Sequence, residues 1–148
     1  MPQSLSRVIL HIIFSTKDRE PYFSPSIRPR IHEYMAGIVA AEGGYAHAVG
    51  GIGDHVHVLM GLEAAHSLAQ VMQRLKSVSS RWIHDELRLP GFRWQEGYGG
   101  FTVSPTNVRR VRRYVLNQEE HHRTKTFQEE YVQLLKRGMV KYDEKHLW

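Results

Sequence analysis

The stretch from Arg7 to Thr16 is rich in Val and Ile and reads as a buried strand. Pro21 and Pro25 punctuate a loop, and Ser24 is placed to cap a helix running from about Ser26 to Glu42. Along that helix Ile27, Ile31, Tyr34, Ile38 and Ala41 recur at three- and four-residue spacing, a stripe that faces a core, and Gly43-Gly44 ends it. Tyr45–Gly51 and His55–Leu62 read as two strands joined by Ile52-Gly53-Asp54, where Gly-Asp is turn chemistry. Ser67 opens a second long helix that ends near Leu87, before Pro90-Gly91. Its Leu68, Val71, Leu75, Val78 and Trp82 face inward, while Gln73, Arg74 and Lys76 face largely outward. Within Gly97–Ser104, Phe101-Thr102-Val103 is a short strand. Thr106 caps a third helix from Asn107 to about His122, and a last helix covers roughly Thr126–Arg137. The tail Lys141–Trp148 is polar and loosely held, Trp148 excepted.

The order β-α-β-β-α-β followed by two helices is an α+β, ferredoxin-like arrangement: an antiparallel sheet with helices on one face, plus C-terminal helices. The chain of 148 residues contains no internal repeat, linker or low-complexity stretch, so a single domain spanning 1–148 is expected. This superfold hosts many activities, so function must come from particular residues.

Composition narrows the chemistry. There is no cysteine, which removes disulfides, thiolate nucleophiles and Cys-type zinc sites, while ten histidines leave ample imidazole. The net charge of +5 fits a polyanionic partner. The most apolar N-terminal run, Val8 to Phe14, is interrupted by His11 and is too short for a membrane span, and no small-residue cleavage site follows it as a signal peptide requires. A cytoplasmic protein with no membrane partner is expected. Neither a P-loop nor a GxGxxG pattern occurs, so no nucleotide cofactor is expected.

Two short patterns carry chemistry. In His55-Val56-His57 the imidazoles are two residues apart on a strand and share a face, where they can chelate a divalent ion or simply be half-buried. In Tyr114-Val115-Leu116-Asn117-Gln118 the phenol and the amide are four residues apart on a helix and also share a face. A Gln carbonyl is an acceptable hard ligand for magnesium or manganese and a phenol is a possible nucleophile, although a core Tyr above an exposed Gln has the same spacing. Arg109, Arg110, Arg112 and Arg113 precede Tyr114 and bring phosphate-seeking guanidiniums within two turns of it. Trp94-Gln95-Glu96-Gly97-Tyr98-Gly99-Gly100-Phe101, aromatics interleaved with glycines, is either a platform for stacking unpaired bases or a tight turn with core anchors. His47, His66 and His84 have no obvious partners, whereas His121 or His122, one turn beyond Gln118, could serve as an alternate ligand.

These residues together resemble a family. His55-Val56-His57 is similar to the histidine–hydrophobic–histidine (HUH) motif, and Tyr114-x-x-x-Gln118 to its matching tyrosine helix. With Trp94-Gln95-x-Gly97-Tyr98 and the element order, the chain resembles the small single-tyrosine transposases of the insertion-sequence-200 type from about Val8 to Gln133. The resemblance implies a DNA transposase in which His55, His57 and Gln118 hold one Mg2+ or Mn2+ and Tyr114 attacks the scissile phosphate. A 5′-phosphotyrosyl link and a free 3′-OH result. It also implies single-stranded DNA with a hairpin near the element ends as substrate, arginine contacts to phosphate, and a homodimer whose tyrosine helix serves the partner subunit's histidines. One departure stands out. The connection before the tyrosine helix is Ser104-Pro105-Thr106, a stiff hinge where the family has a flexible one. The competing readings are a domesticated palindrome-processing relative, a nicking initiator or relaxase, and a non-catalytic nucleic-acid-binding module.

Overall fold

The structure is a computed structural model that describes residues 3–148. Four antiparallel strands, β1 (Val8–Ser15), β2 (Tyr45–Gly51), β3 (His55–Leu62) and β4 (Gly99–Thr102), form one sheet in the order β2-β3-β1-β4. This is the ferredoxin-like order, with the two longest apolar strands in the centre. Helices α1 (Arg28–Ala41) and α2 (Leu68–Glu86) cover one face. The opposite face carries α3 (Val108–Leu116), the single turn α4 (Gln118–His121) and α5 (Phe127–Arg137). Among the described residues no helix is long and apolar enough to cross a membrane.

Strand alternation builds the two layers. Leu10, Ile12 and Phe14 of β1 and Val56, Val58 and Met60 of β3 point to α1 and α2, where they meet Ile31, Met35, Val39, Val71, Leu75 and Ile83. Each fully buried side chain of this kind contributes roughly 1.5–3 kcal/mol. The other face is less uniform. Ile13 packs with Phe127, Tyr131, Leu135 and Leu147, and Ile9 and Leu59 pack with Val115, leaving a polar patch between the two clusters.

Several local expectations are corrected. Ser24 and Thr106 do not cap helices with their side chains; each hydroxyl pairs with another, Ser26 at 3.1 Å and Ser104 at 2.9 Å respectively. Ser67 does cap α2, accepting from the Gln70 amide. Ala41 is exposed and Met35 and Val39 join Ile31 and Ile38 as the buried positions of α1, while Tyr34 and Trp82 stack on each other at 4.4 Å at the margin of the helical layer. Lys76 is not on the solvated face. Its ammonium lies over the Phe14 ring and donates to Gln95 O at 2.7 Å and Gly97 O at 2.6 Å, and burial lowers its pKa to about 8.

The segment Trp94–Tyr98 resolves as a core anchor rather than a stacking platform. The Trp94 ring is buried against Phe14, Phe23 and Phe92, and its indole N–H donates to Ser79 Oγ at 3.0 Å. The Gln95 side chain accepts from Ser15 N at 2.6 Å and donates to Leu147 O at 3.1 Å. That second bond corrects the picture of the tail, because Leu147 is buried beside Ile13 and Trp148 packs on Phe127 and Tyr131.

The seat of α3 depends on Gly50. A Cβ built there would lie 2.0 Å from Val115 O, so only glycine lets the helix backbone descend onto β2. We expect Gly50→Ala to lift α3 from the sheet and cost about 1–3 kcal/mol, read as a lower urea midpoint. A Gly50→Ala protein as stable as the parent would contradict this close approach.

Candidate active site

The polar patch on the second face begins with β3. His55 and His57 are both fully buried and point to the α3–α5 side, opposite Val56 and Val58. Asp54 Oδ1 lies 2.7 Å from His55 Nδ1, which turns His55 Nε2 inward. Nε2 of His57 likewise points inward, 3.0 Å from Glu130 Oε1.

Gln118 reaches this centre through a break that sequence periodicity does not reveal. The expected continuous helix from Asn107 to His122 stops at Leu116, and Asn117 has left the helical region with φ −110° and ψ 35°. At this helix end Tyr114 O accepts from Asn117 N at 3.3 Å and also from Gln118 Nε2 at 2.9 Å. With its N–H so engaged, the amide aims Oε1 at the histidines, 3.3 Å from His55 Nε2 and 3.0 Å from His122 Nε2. Gln118 is buried at 1% exposure for the same reason.

Glu130 completes the cluster. It is 1% exposed, and its Oε1 faces His57, His122 (3.2 Å) and His55 (3.5 Å), while Oε2 faces His121 at 2.9 Å and accepts a short hydrogen bond from the Tyr114 hydroxyl. Burial alone would raise its pKa, but hydrogen bonds from His122, His57 and Tyr114 reverse the sign and hold it far below the usual carboxylate range. The Tyr114 phenol is pushed upward by burial and by the adjacent Glu130 charge. Burial lowers His57 to about 4, keeping its imidazole neutral and able to ligate. His122 moves the other way: burial opposes its charge, but Glu130 outweighs it.

The structure brings Tyr114, His55, His57 and Gln118 together in one chain, and of the two alternate candidates it sets His122 inside the cluster and His121 at its mouth. The four arginines are not part of it. Arg109, Arg110, Arg112 and Arg113 lie on exposed positions of α3, with Arg112 donating to His47 O at 3.3 Å. The guanidinium that bears on Tyr114 is Arg137 at the end of α5, opposing the rise caused by burial and Glu130. Sequence reasoning missed Glu130, His11 and Asp54. Glu130 had a readable signal: it falls within the stripe Phe127, Tyr131, Leu134 of α5, where a carboxylate has no place unless partnered.

The donor set fits a small divalent cation. His55, His57, His122 and Glu130 each bring one donor atom into a cluster no wider than 4.8 Å. Ligands at roughly 2.1 Å from a cation stand roughly 3.0–3.4 Å from one another, and the contacts above range from 3.0 to 3.5 Å. His55 Nε2 and His122 Nε2 face each other at 3.0 Å with Gln118 Oε1 beside both. One shared proton can satisfy only one of these approaches, whereas a cation satisfies all of the lone pairs.

Comparison with known proteins agrees with this architecture. No curated protein matches the chain. A transposase crystal structure from Deinococcus radiodurans R1 is similar with a TM-score of 0.63 and 24% identity, covering 80% of this chain and 98% of that one. A REP-associated tyrosine transposase bound to a REP hairpin is similar with a TM-score of 0.56 and 10% identity, covering 95% of this chain and 74% of that one. Both likenesses concern the fold. Residues 4–118 match the profile of the family described as transposase IS200 like, so over most of its length the chain belongs to the IS200-like transposase family.

Proposed function

We propose that the protein cuts and rejoins single-stranded DNA through a covalent bond between Tyr114 and a 5′-phosphate. The observation that carries this reading is the convergence of the Tyr114 hydroxyl, the His55–His57 pair and the Gln118 amide oxygen on one buried centre of one chain. His55, His57 and Gln118 would hold the cation, with Glu130 and His122 as further donors. When bound, Mg2+ or Mn2+ polarises the scissile phosphate and stabilises the leaving 3′-oxygen. Three imidazoles in the donor set favour Mn2+ over Mg2+.

Tyr114 supplies the nucleophile. Its hydroxyl already donates to Glu130, so a carboxylate stands where the phenolic proton must go. The phenolic oxygen bonds to phosphorus, the bond from phosphorus to the 3′-oxygen breaks, and the 3′-oxygen leaves as a hydroxyl once protonated. Attack by a 3′-OH on the tyrosyl ester reverses each change. The exposed arginines of α3 are suited to holding the phosphate backbone rather than the reacting group. The REP hairpin bound by the structurally similar transposase supports a hairpin as the recognised substrate.

The resemblance to single-tyrosine transposases implies a homodimer that exchanges the tyrosine helix. Within this chain Tyr114 lies against its own histidines, and Gly50 admits Val115 so closely that exchange requires undocking α3 from β2. We therefore expect each subunit to complete its own site, whether or not two subunits associate.

Three outcomes follow from this reading. Tyr114→Phe removes the nucleophile and keeps the ring, so strand cleavage and the covalent DNA adduct should vanish while DNA binding persists. A phosphotyrosyl peptide mapped to any other tyrosine would refute the assignment. A mixture of Tyr114→Phe and His57→Ala proteins should remain inactive; restored cleavage would mean that the helix serves a partner. Finally, Mn2+ at a hundred times its Kd should stabilise the parent protein by about 2.7 kcal/mol, and His57→Ala should lose most of that gain. An equal shift in both proteins would put the cation elsewhere.

A further inference from the structure

His11 interrupts the apolar run of β1, is 5% exposed, and has no part in the chemistry above. β1 and β3 pair with Ile13 opposite His57 and His11 opposite Leu59, so His11 stands diagonally from His57 on the same face. The two rings stack at 5.0 Å with 21° between their planes, and His11 Nε2 lies 2.7 Å from His57 Nδ1. The His11 ring also meets the Tyr114 ring edge-on at 6.0 Å.

We propose that His11 is the positioning residue that fixes the tautomer and ring orientation of His57, holding its Nε2 lone pair toward the metal centre; this rests on the metal-binding reading of that centre. A neutral imidazole carries one ring proton. For His57 Nε2 to ligate, its proton must sit on Nδ1, and a proton there needs an acceptor. The acceptor within reach of Nδ1 is Nε2 of His11, which must then be neutral with its own proton on Nδ1. His55 solves the same problem with a carboxylate, Asp54 Oδ1 at 2.7 Å from its Nδ1. The two histidines of the His-x-His pair are thus held by different kinds of partner. Asp54 adjoins its histidine in sequence, whereas His11 reaches His57 only through strand register. A histidine that merely filled space between Ile9 and Ile13 would have no reason to aim one nitrogen at the ring nitrogen of His57.

The test compares Mn2+ affinity, measured by calorimetric titration without DNA, in the parent and in His11→Phe, His11→Gln and His11→Asn. Phe keeps ring and volume but offers no acceptor, and Mn2+ binding should weaken about 10–100-fold. Gln carries an oxygen near the position of Nε2 and should hold affinity within a few-fold of the parent, whereas Asn is too short and should resemble Phe. Nitrogen-15 spectra of the parent saturated with diamagnetic Mg2+ should show His57 protonated at Nδ1, whereas His11→Phe at the same Mg2+ concentration should retain His57 protonated at Nε2, toward Glu130. Parent-like Mn2+ affinity in His11→Phe, or equal loss in Gln and Asn, would overturn the role of His11 while leaving the metal centre standing. Should His11→Phe fail to fold, the Gln–Asn contrast decides the matter. A parent protein that binds no Mn2+ at all would instead remove the metal centre, and this inference with it.

Discussion

A carboxylate buried away from water must be surrounded by donors, and that requirement organises the second face of this molecule. Glu130 sits at 1% exposure and is approached by four imidazoles and one phenol. Those partners come from β3, the end of α3, and the residues that close and follow α4, so one charge ties these elements to α5. Removing a partner from a buried charge costs on the order of 3–5 kcal/mol. The arrangement is therefore rigid where it is polar. The phenol, the amide oxygen and the β3 imidazoles are held in place before any substrate arrives, and such preorganisation favours catalysis.

The sheet makes this possible by treating its two faces differently. Toward α1 and α2 the central strands β1 and β3 present only apolar side chains, and that layer supplies stability. Toward α3 and α5 the apolar clusters around Ile13 and around Ile9 are separated by His11, His55 and His57. Lys76, Gln95 and Leu147 belong to the frame. Through them the loop before β4 and the C-terminal tail are bonded to each other and to the end of β1, which keeps α5 and Glu130 pressed on the sheet.

Much of this was legible in the sequence because it is local. The strand spacing of His55 and His57 and the helical spacing of Tyr114 and Gln118 are properties of a few adjacent residues, and the structure brings all four side chains to one centre. The helix break at Asn117 was not legible, since the Tyr114–Gln118 spacing suits a continuous helix equally well; what holds Gln118 inward is the bond from its amide N–H to Tyr114 O at the helix end. His11 required the β1–β3 register, which no local pattern supplies. The arginine run forms an exposed basic face of α3, while the adjacent Tyr114 faces the buried histidines. The tail was misjudged because Leu147 is a single apolar residue among polar ones, and its burial depends on a bond from the distant Gln95.

In the proposed centre one cation bridges the β3 histidines and the tyrosine helix of the same chain. The most direct measurement is anomalous diffraction at the manganese edge from crystals grown with Mn2+ and a single-stranded oligonucleotide. One strong peak is expected, ligated by Nε2 of His55 and His57, with Gln118 Oε1 in its shell and Tyr114 of the same chain beside the bound phosphate. Manganese found only on surface carboxylates, or a peak at the histidines with the tyrosine of another subunit beside it, would contradict it.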